Sequence, residues 1–220
     1  MRPPVTAQFS ALGDARDSFG ADPAPRAVRD VVARGARVRF AEVGAGPPLL
    51  LVHDVLEQRE AWAPLVPHLA RSFRVLAVDL PGFGDSEKPP AARYAYGPQA
   101  FAEALFDLLA AAGTPRATVC GHGLGAAVGL TMATTQPSAV DALVLVGAAV
   151  SGAETSTLAR AAAVPLAGPV FFKQLVGRRV FRRHFDERGR PFDGEDGEAL
   201  FGRFFASFDT PVGREAAFAT

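Results

Sequence analysis

A chain of 220 residues that is 49% hydrophobic and 21% charged has the composition of one sizeable globular domain, alone or with a small appendage. Its 23 basic and 23 acidic residues cancel, which excludes a global attraction to nucleic acid or to an anionic membrane. The single cysteine, Cys120, excludes an internal disulfide; with no signal-peptide-like apolar core in MRPPVTAQFSALGDARDSFG and no run long enough to span a bilayer, a reducing, cytoplasmic location is expected.

Residues 1–35, rich in Pro, Ala and Arg, read as a loose lead-in with a short helix over 25–33. ARVRFAEV over 36–43 alternates apolar and charged residues and predicts an early antiparallel strand. Four short apolar runs follow: LLLV at 49–52, VLAV at 75–78, ATVC at 117–120 and LVLV at 143–146. Each is continuously apolar, as strands buried on both faces are. Helical patterns separate them over 60–70, over 98–112 (closed by Gly113) and over 124–136 (stopped before Pro137). Strand–helix alternation of this kind predicts an α/β fold, a mostly parallel sheet with helices on both faces. Residues 151–220 show no clear strand and carry many phenylalanines among arginines, so they read as a helical segment appended to a core over 36–150.

The chemistry-bearing stretch is TVCGHGLGAAVGL, residues 118–130, a strand running through a glycine-rich turn into a small-residue helix. With LLLVHDVLEQREAWAPLVPHLA and FRVLAVDLPGFGDSEKP, in this order, it resembles the α/β-hydrolase fold family across residues 37–220. The resemblance implies a nucleophile at position 123, an oxyanion hole made by the amides of Leu124 and of the loop near Val55, and a helical cap over 151–220. It implies for VFFKQLVGRRVFRRHF a place in that cap, against the alternative of a basic amphipathic membrane-surface helix.

This sequence departs from the family pattern in several ways. Position 123 is Gly123, which has no nucleophile. The oxyanion loop reads His53-Asp54, and a carboxylate beside a developing oxyanion opposes catalysis unless it points away. Gly147, Ala148 and Ala149 offer no acid after LVLV, and the two further strands that carry the family's acid and histidine are not found before Thr220. The chain therefore reads as a degenerate, C-terminally truncated member, catalytically inactive as given. Its pocket would be formed by His53, Asp54, Val55, His122, Gly123 and Leu124. Two alternatives stay open: an active hydrolase with displaced chemistry, using His122 or Asp54 on an ester, epoxide or similar small apolar substrate, and a ligand- or partner-binding pseudo-enzyme.

Other readings of the same residues carry less. Gly121-x-Gly123-x-x-Ala126 with Asp141 matches a dinucleotide fingerprint, but Asp141 precedes its strand where the ribose-binding acid should follow it. His53, His122 and Asp54 show no known metal-ligand spacing, so no metal and no cofactor are expected. Cys120 reads as a buried inert thiol, and Asp79 as a turn residue accepting backbone amides. The expected partner is a small apolar molecule, with no nucleic acid, no membrane, and self-association through the exposed edge at 143–146. At Gly123 the turn predicts a positive φ, with the Leu124 amide facing a vacant pocket.

Overall fold

The computed structural model describes residues 7–8, 26–148, 157–189 and 192–220. The expected boundary at 150/151 and most of the expected lead-in lie outside these residues. Seven strands form one sheet: β1 (Ala7–Gln8), β2 (Arg26–Ala33), β3 (Ala36–Val43), β4 (Pro48–Val52), β5 (Arg74–Val78), β6 (Ala117–His122) and β7 (Val140–Val146), in the spatial order β1-β2-β3-β5-β4-β6-β7. Strands β5, β4, β6 and β7 pair in parallel, β3 runs against β5, and β2 runs against β3. β2 therefore shares the direction of the parallel four, and the sheet is mostly parallel.

The apolar runs are continuous because alternate residues enter two different cores. Leu50, Val52, Leu76, Val78 and Val119 pack on the face covered by α2 (Pro98–Ala111) and α3 (Leu124–Thr135), whose Phe101, Leu105, Leu108, Val128 and Met132 are fully buried there. Leu49, Leu51, Val75 and Ala77 pack on the other face against Trp62 and Val66. That second face is covered by less helix than the pattern over 60–70 predicts. It holds a 3-10 turn (Arg59–Trp62) and one turn of α1 (Val66–Leu69), because Pro64 and Pro67 lack the amide hydrogens of a continuous helix.

The helix expected over 25–33 is overturned: these residues include β2, which pairs along its whole length with β3. The connection is the two-residue turn Arg34-Gly35, with φ of 51° and 77°, the doubly positive geometry that matches strand twist. The apolar alternation that marks a strand is weak here because ion pairs replace it. Asp30 accepts from Arg37 and Arg39 of β3, and Arg29 meets Glu42.

After β7 the described chain is helical: α4 (Thr157–Ala162), α5 (Ala167–Val170) running into a π-helical turn (Phe171–Leu175), α6 (Arg178–Glu187), α7 (Gly194–Phe208) and α8 (Pro211–Ala219). Phe181, Phe185, Phe201, Phe204 and Phe208 bury their rings against one another. The arginines lie on this aromatic cluster rather than apart from it, Arg178 and Arg182 each stacking on Phe201.

The order of the strands positions the site. From β4 the chain moves to β5 on one side, and from β6 it moves to β7 on the other. The loops leaving the carboxyl ends of β4 and β6 thus part company over one crevice, the place where open α/β sheets bind ligands. Beyond it β7 is the outermost strand of the described sheet, with Val144, Leu145 and Val146 each more than 40% exposed.

Candidate functional site

At the end of β6 the chain reverses through Gly123, which has φ 53° and ψ −111°, and Leu124 begins α3. The positive φ expected from the sequence is present. Neighbouring backbone also needs the flanking glycines: a Cβ on Gly121 would collide with the Gly125 carbonyl, and one on Gly125 with that of Val52.

The pocket beyond the turn is filled, which corrects the expectation of a vacant one. A Cβ built on Gly123 would fall on the carboxylate of Asp54, closer to its Cγ and both oxygens than real Cβ atoms come. Asp54 does not point away. Its Oδ1 accepts from the Leu124 amide at 2.6 Å and from the Val55 amide at 2.8 Å. These are the two donors that the sequence assigns to an oxyanion hole. Charge-assisted hydrogen bonds of this kind contribute about 1.5–3 kcal/mol each, and the amino terminus of α3 adds a favourable field for negative charge. Oδ2 accepts from Arg188 Nη2 at 2.7 Å, a contact from the end of α6 across 134 residues of sequence.

The loop after β4 is built to deliver that carboxylate. Leu56 has φ 64°, a strained conformation for a branched residue costing about 1–3 kcal/mol. Its side chain is buried in the main core, which holds it there. The reversal brings Glu57 back beside Asp54: the Glu57 amide donates to the Asp54 carbonyl at 3.2 Å, and the Asp54 amide donates to Glu57 Oε2 at 3.3 Å. The same Oε2 lies 3.4 Å from His122 Nδ1, so an acid–imidazole pair stands next to the turn.

His53 plays a different part. The Leu80 amide donates to its Nε2 at 3.1 Å, so Nδ1 carries the proton and donates to the Asp54 carbonyl at 2.7 Å. Both nitrogens are engaged and burial lowers its pKa, so the ring is a neutral brace for the loop. It does not join His122 and Asp54 in a metal-ligand set, and no group of three His, Cys, Asp or Glu suited to a metal occurs among the described residues.

The structure thus brings Asp54, Val55, Gly123 and Leu124 into direct contact, places His122 against Glu57, and turns His53 inward. Three participants were not legible. Glu57 carried no motif, and Arg188 lies in a segment with no fixed spacing to the turn. His184, on α6, was visible only as one histidine among arginines. It is buried, and its pKa falls to about 4 because of desolvation and the Arg188 charge, against the opposing pull of Asp54, Glu187 and Glu57. Cys120 stays a thiol, with its pKa raised by burial. Asp141 pairs with Arg116 at the amino end of β7, at the opposite edge of the sheet from the turn.

A family model described as the alpha/beta hydrolase fold matches residues 47–206. An uncharacterised Mycobacterium tuberculosis protein is 34% identical over 145 residues, which is 66% of this chain and 42% of that protein. A 2-hydroxymuconate semialdehyde hydrolase from Pseudomonas sp. strain CF600 is 34% identical over 128 residues, 57% of this chain and 44% of that enzyme. The chain thus matches less than half the length of these relatives. Among solved structures, a haloalkane dehalogenase from Agrobacterium tumefaciens C58 superposes with a TM-score of 0.73 at 24% identity, over 92% of this chain and 68% of the other.

Proposed function

The chain belongs to the α/β-hydrolase fold family, and we propose that within it this protein has lost acyl transfer at its turn and keeps a pocket occupied by its own carboxylate. One observation carries the reading: Asp54 Oδ1 takes both the Val55 and the Leu124 amides. An ester substrate would find no nucleophile at Gly123, and no free donors for the oxyanion that attack on its carbonyl creates. The helical segment acts as a cap, and Arg188 ties it to the crevice through Asp54. The test is an assay of activated acyl esters such as p-nitrophenyl acetate. Wild type and Gly123→Ser should both stay at background; a product burst stoichiometric with protein from either one contradicts the proposal.

A second reading, displaced chemistry on a small apolar substrate, is favoured by a separate observation: the Glu57–His122 pair stands beside a carboxylate lying where a side chain of residue 123 would begin. The exposed apolar strand β7 supports self-association through the sheet edge. Light scattering tests that, and a monodisperse monomer at all concentrations contradicts it.

A further inference from the structure

We infer that the turn between α4 and α5 is a docking tip for an anionic lipid surface, which Leu166 and its apolar neighbours enter while Arg160, Lys173 and Arg179 meet the headgroups. The inference concerns the helical segment and is independent of the pocket at Gly123.

The turn is the first argument. Val164, Val170 and Leu175 are exposed, and Leu166 is 92% exposed. Single exposed apolar residues are ordinary, but these four fall within residues 164–175, where α4, α5 and the π-helical turn pack against one another. Leu166 is also strained. The Ala167 amide donates to the Pro165 carbonyl at 2.7 Å across it, and its φ of 65° and ψ of −45° approach the γ-turn of positive φ, a rare form. The Gly168 amide donates to the Val164 carbonyl at 2.7 Å, and a Cβ on Gly168 would collide with the Ala162 carbonyl. The reversal is closed by these bonds and by close backbone approach, and it is mounted on Leu158, Phe172 and Val176, which are buried in the main core. A glycine at 166 would relieve the backbone, and a polar residue would suit the water. A leucine held outward there serves neither the turn nor the core.

Charge decides the partner. The whole chain is neutral, but residues 157–185 include Arg160, Lys173, Arg178, Arg179, Arg182 and Arg183 and no Asp or Glu. Arg178 and Arg182 reach Glu198, and Arg183 reaches Glu187. Arg160, Lys173 and Arg179 are exposed and pair with no acid among the described residues. An apolar tip beside such cations fits the boundary between acyl chains and anionic headgroups. A polyanion without acyl chains would satisfy the cations and leave Leu166 in water. No helix among the described residues is long and apolar enough to cross a membrane, so the contact is peripheral.

The experiment is sedimentation of the full chain with phosphatidylcholine vesicles, with and without phosphatidylglycerol, at low and high salt. Wild type should pellet with the mixed vesicles at low salt, and binding should fall at least about fivefold on phosphatidylcholine alone or in high salt. Leu166→Gly should lower binding to the mixed vesicles at least about fivefold, while its unfolding midpoint holds or rises. The emission of Leu166→Trp should shift to the blue on the mixed vesicles, against a constant background from the buried Trp62. No binding to the mixed vesicles overturns the inference, and so does binding that Leu166→Gly leaves unchanged. Binding without a shift in the Leu166→Trp emission means a purely electrostatic contact and overturns it. A lower unfolding midpoint in Leu166→Gly makes the leucine a structural residue and also overturns it. If light scattering without vesicles shows a dimer that Leu166→Gly abolishes, the tip joins two copies, which overturns the lipid partner.

Discussion

Asp54 and Asp79 are held in the same way at two turns over one edge of the sheet. Each carboxylate accepts two backbone amides, Val55 and Leu124 for Asp54, Arg59 and Asp85 for Asp79. Each meets one guanidinium, Arg188 and Arg59 respectively. Each lies against a positive-φ glycine whose Cβ would collide with it: Gly123 at φ 53° for Asp54, and Gly84 at φ 50° for Asp79, where the Cβ would lie 2.5 Å from both oxygens. The difference is the arginine. Arg59 is 5% exposed and begins the 3-10 turn after β4, while Arg188 is 33% exposed and comes from the helical segment. One device is sealed from solvent; the other is open to solvent at its arginine.

The comparison breaks first on the arginines. Arg59→Ala leaves Asp79 buried without its counter-charge and should cost about 3–5 kcal/mol in denaturant unfolding. A loss under about 1 kcal/mol would mean that the sealed site is not electrostatically demanding.

Next is the pH response, which should have opposite signs at the two sites. His184, beside Asp54, has a folded pKa of about 4, below its ordinary 6.5. The unfolded chain binds its proton first as pH falls, so this contribution is present above pH 6.5 and lost down to about 4, on the order of 3 kcal/mol in all. Glu60, beside Arg59, has a folded pKa of about 7, raised by burial and by the Asp79 charge. Its contribution is present below about 4.5 and lost as pH rises through about 7. Across about pH 4.5 to 6.5, His184→Gln therefore removes a stability that rises with pH and Glu60→Gln one that falls with pH, so the two variants should tilt the unfolding profile in opposite directions. Identical profiles in the two variants would contradict the assignment.

Smaller is the effect of Gly84→Ala, which adds a side chain at positive φ and should cost at least about 1–3 kcal/mol from the backbone alone. Arg188→Ala should cost least, about 1 kcal/mol, because solvent already reaches the guanidinium and screens the pair. A loss as large as that of Arg59→Ala would remove the distinction between sealed and open sites.

Much of the fold was legible because burial on both faces writes itself into the chain. LLLV, VLAV and ATVC appeared as strands at or near their expected bounds; LVLV is also a strand, but an exposed one at the edge of the described sheet, which corrects the expectation of burial on both faces. β2 was missed because its cross-strand partners are charges: Asp30 with Arg37 and Arg39 hides the alternation. Arg34-Gly35 between two β-branched runs was the available signal. At the site, the turn and its glycines were readable from local spacing, and both amide donors from the family resemblance. The role of Asp79 was readable from local spacing too, since its amide donor Asp85 lies in the same short loop, although its other donor, Arg59, comes from the 3-10 turn after β4. Asp54 was read as a carboxylate beside the oxyanion donors, with its direction open. Its direction is set by Leu124 and Arg188, 70 and 134 residues away, and no local pattern encodes that distance.

The central claim is that Asp54 and Gly123 are one exchange: the carboxylate occupies the space that the missing side chain vacates. A double-mutant cycle on Gly123→Ser and Asp54→Ala tests it most directly, read by denaturant unfolding. In the wild-type background, serine at 123 meets both positive φ and the Asp54 carboxylate. With alanine at 54 only the backbone strain remains. The cost of Gly123→Ser should therefore fall by at least about 1 kcal/mol in the Asp54→Ala background, a coupling in the range found for residues in contact. An equal cost in both backgrounds would contradict the account, because the carboxylate would then not be what excludes a side chain from the turn.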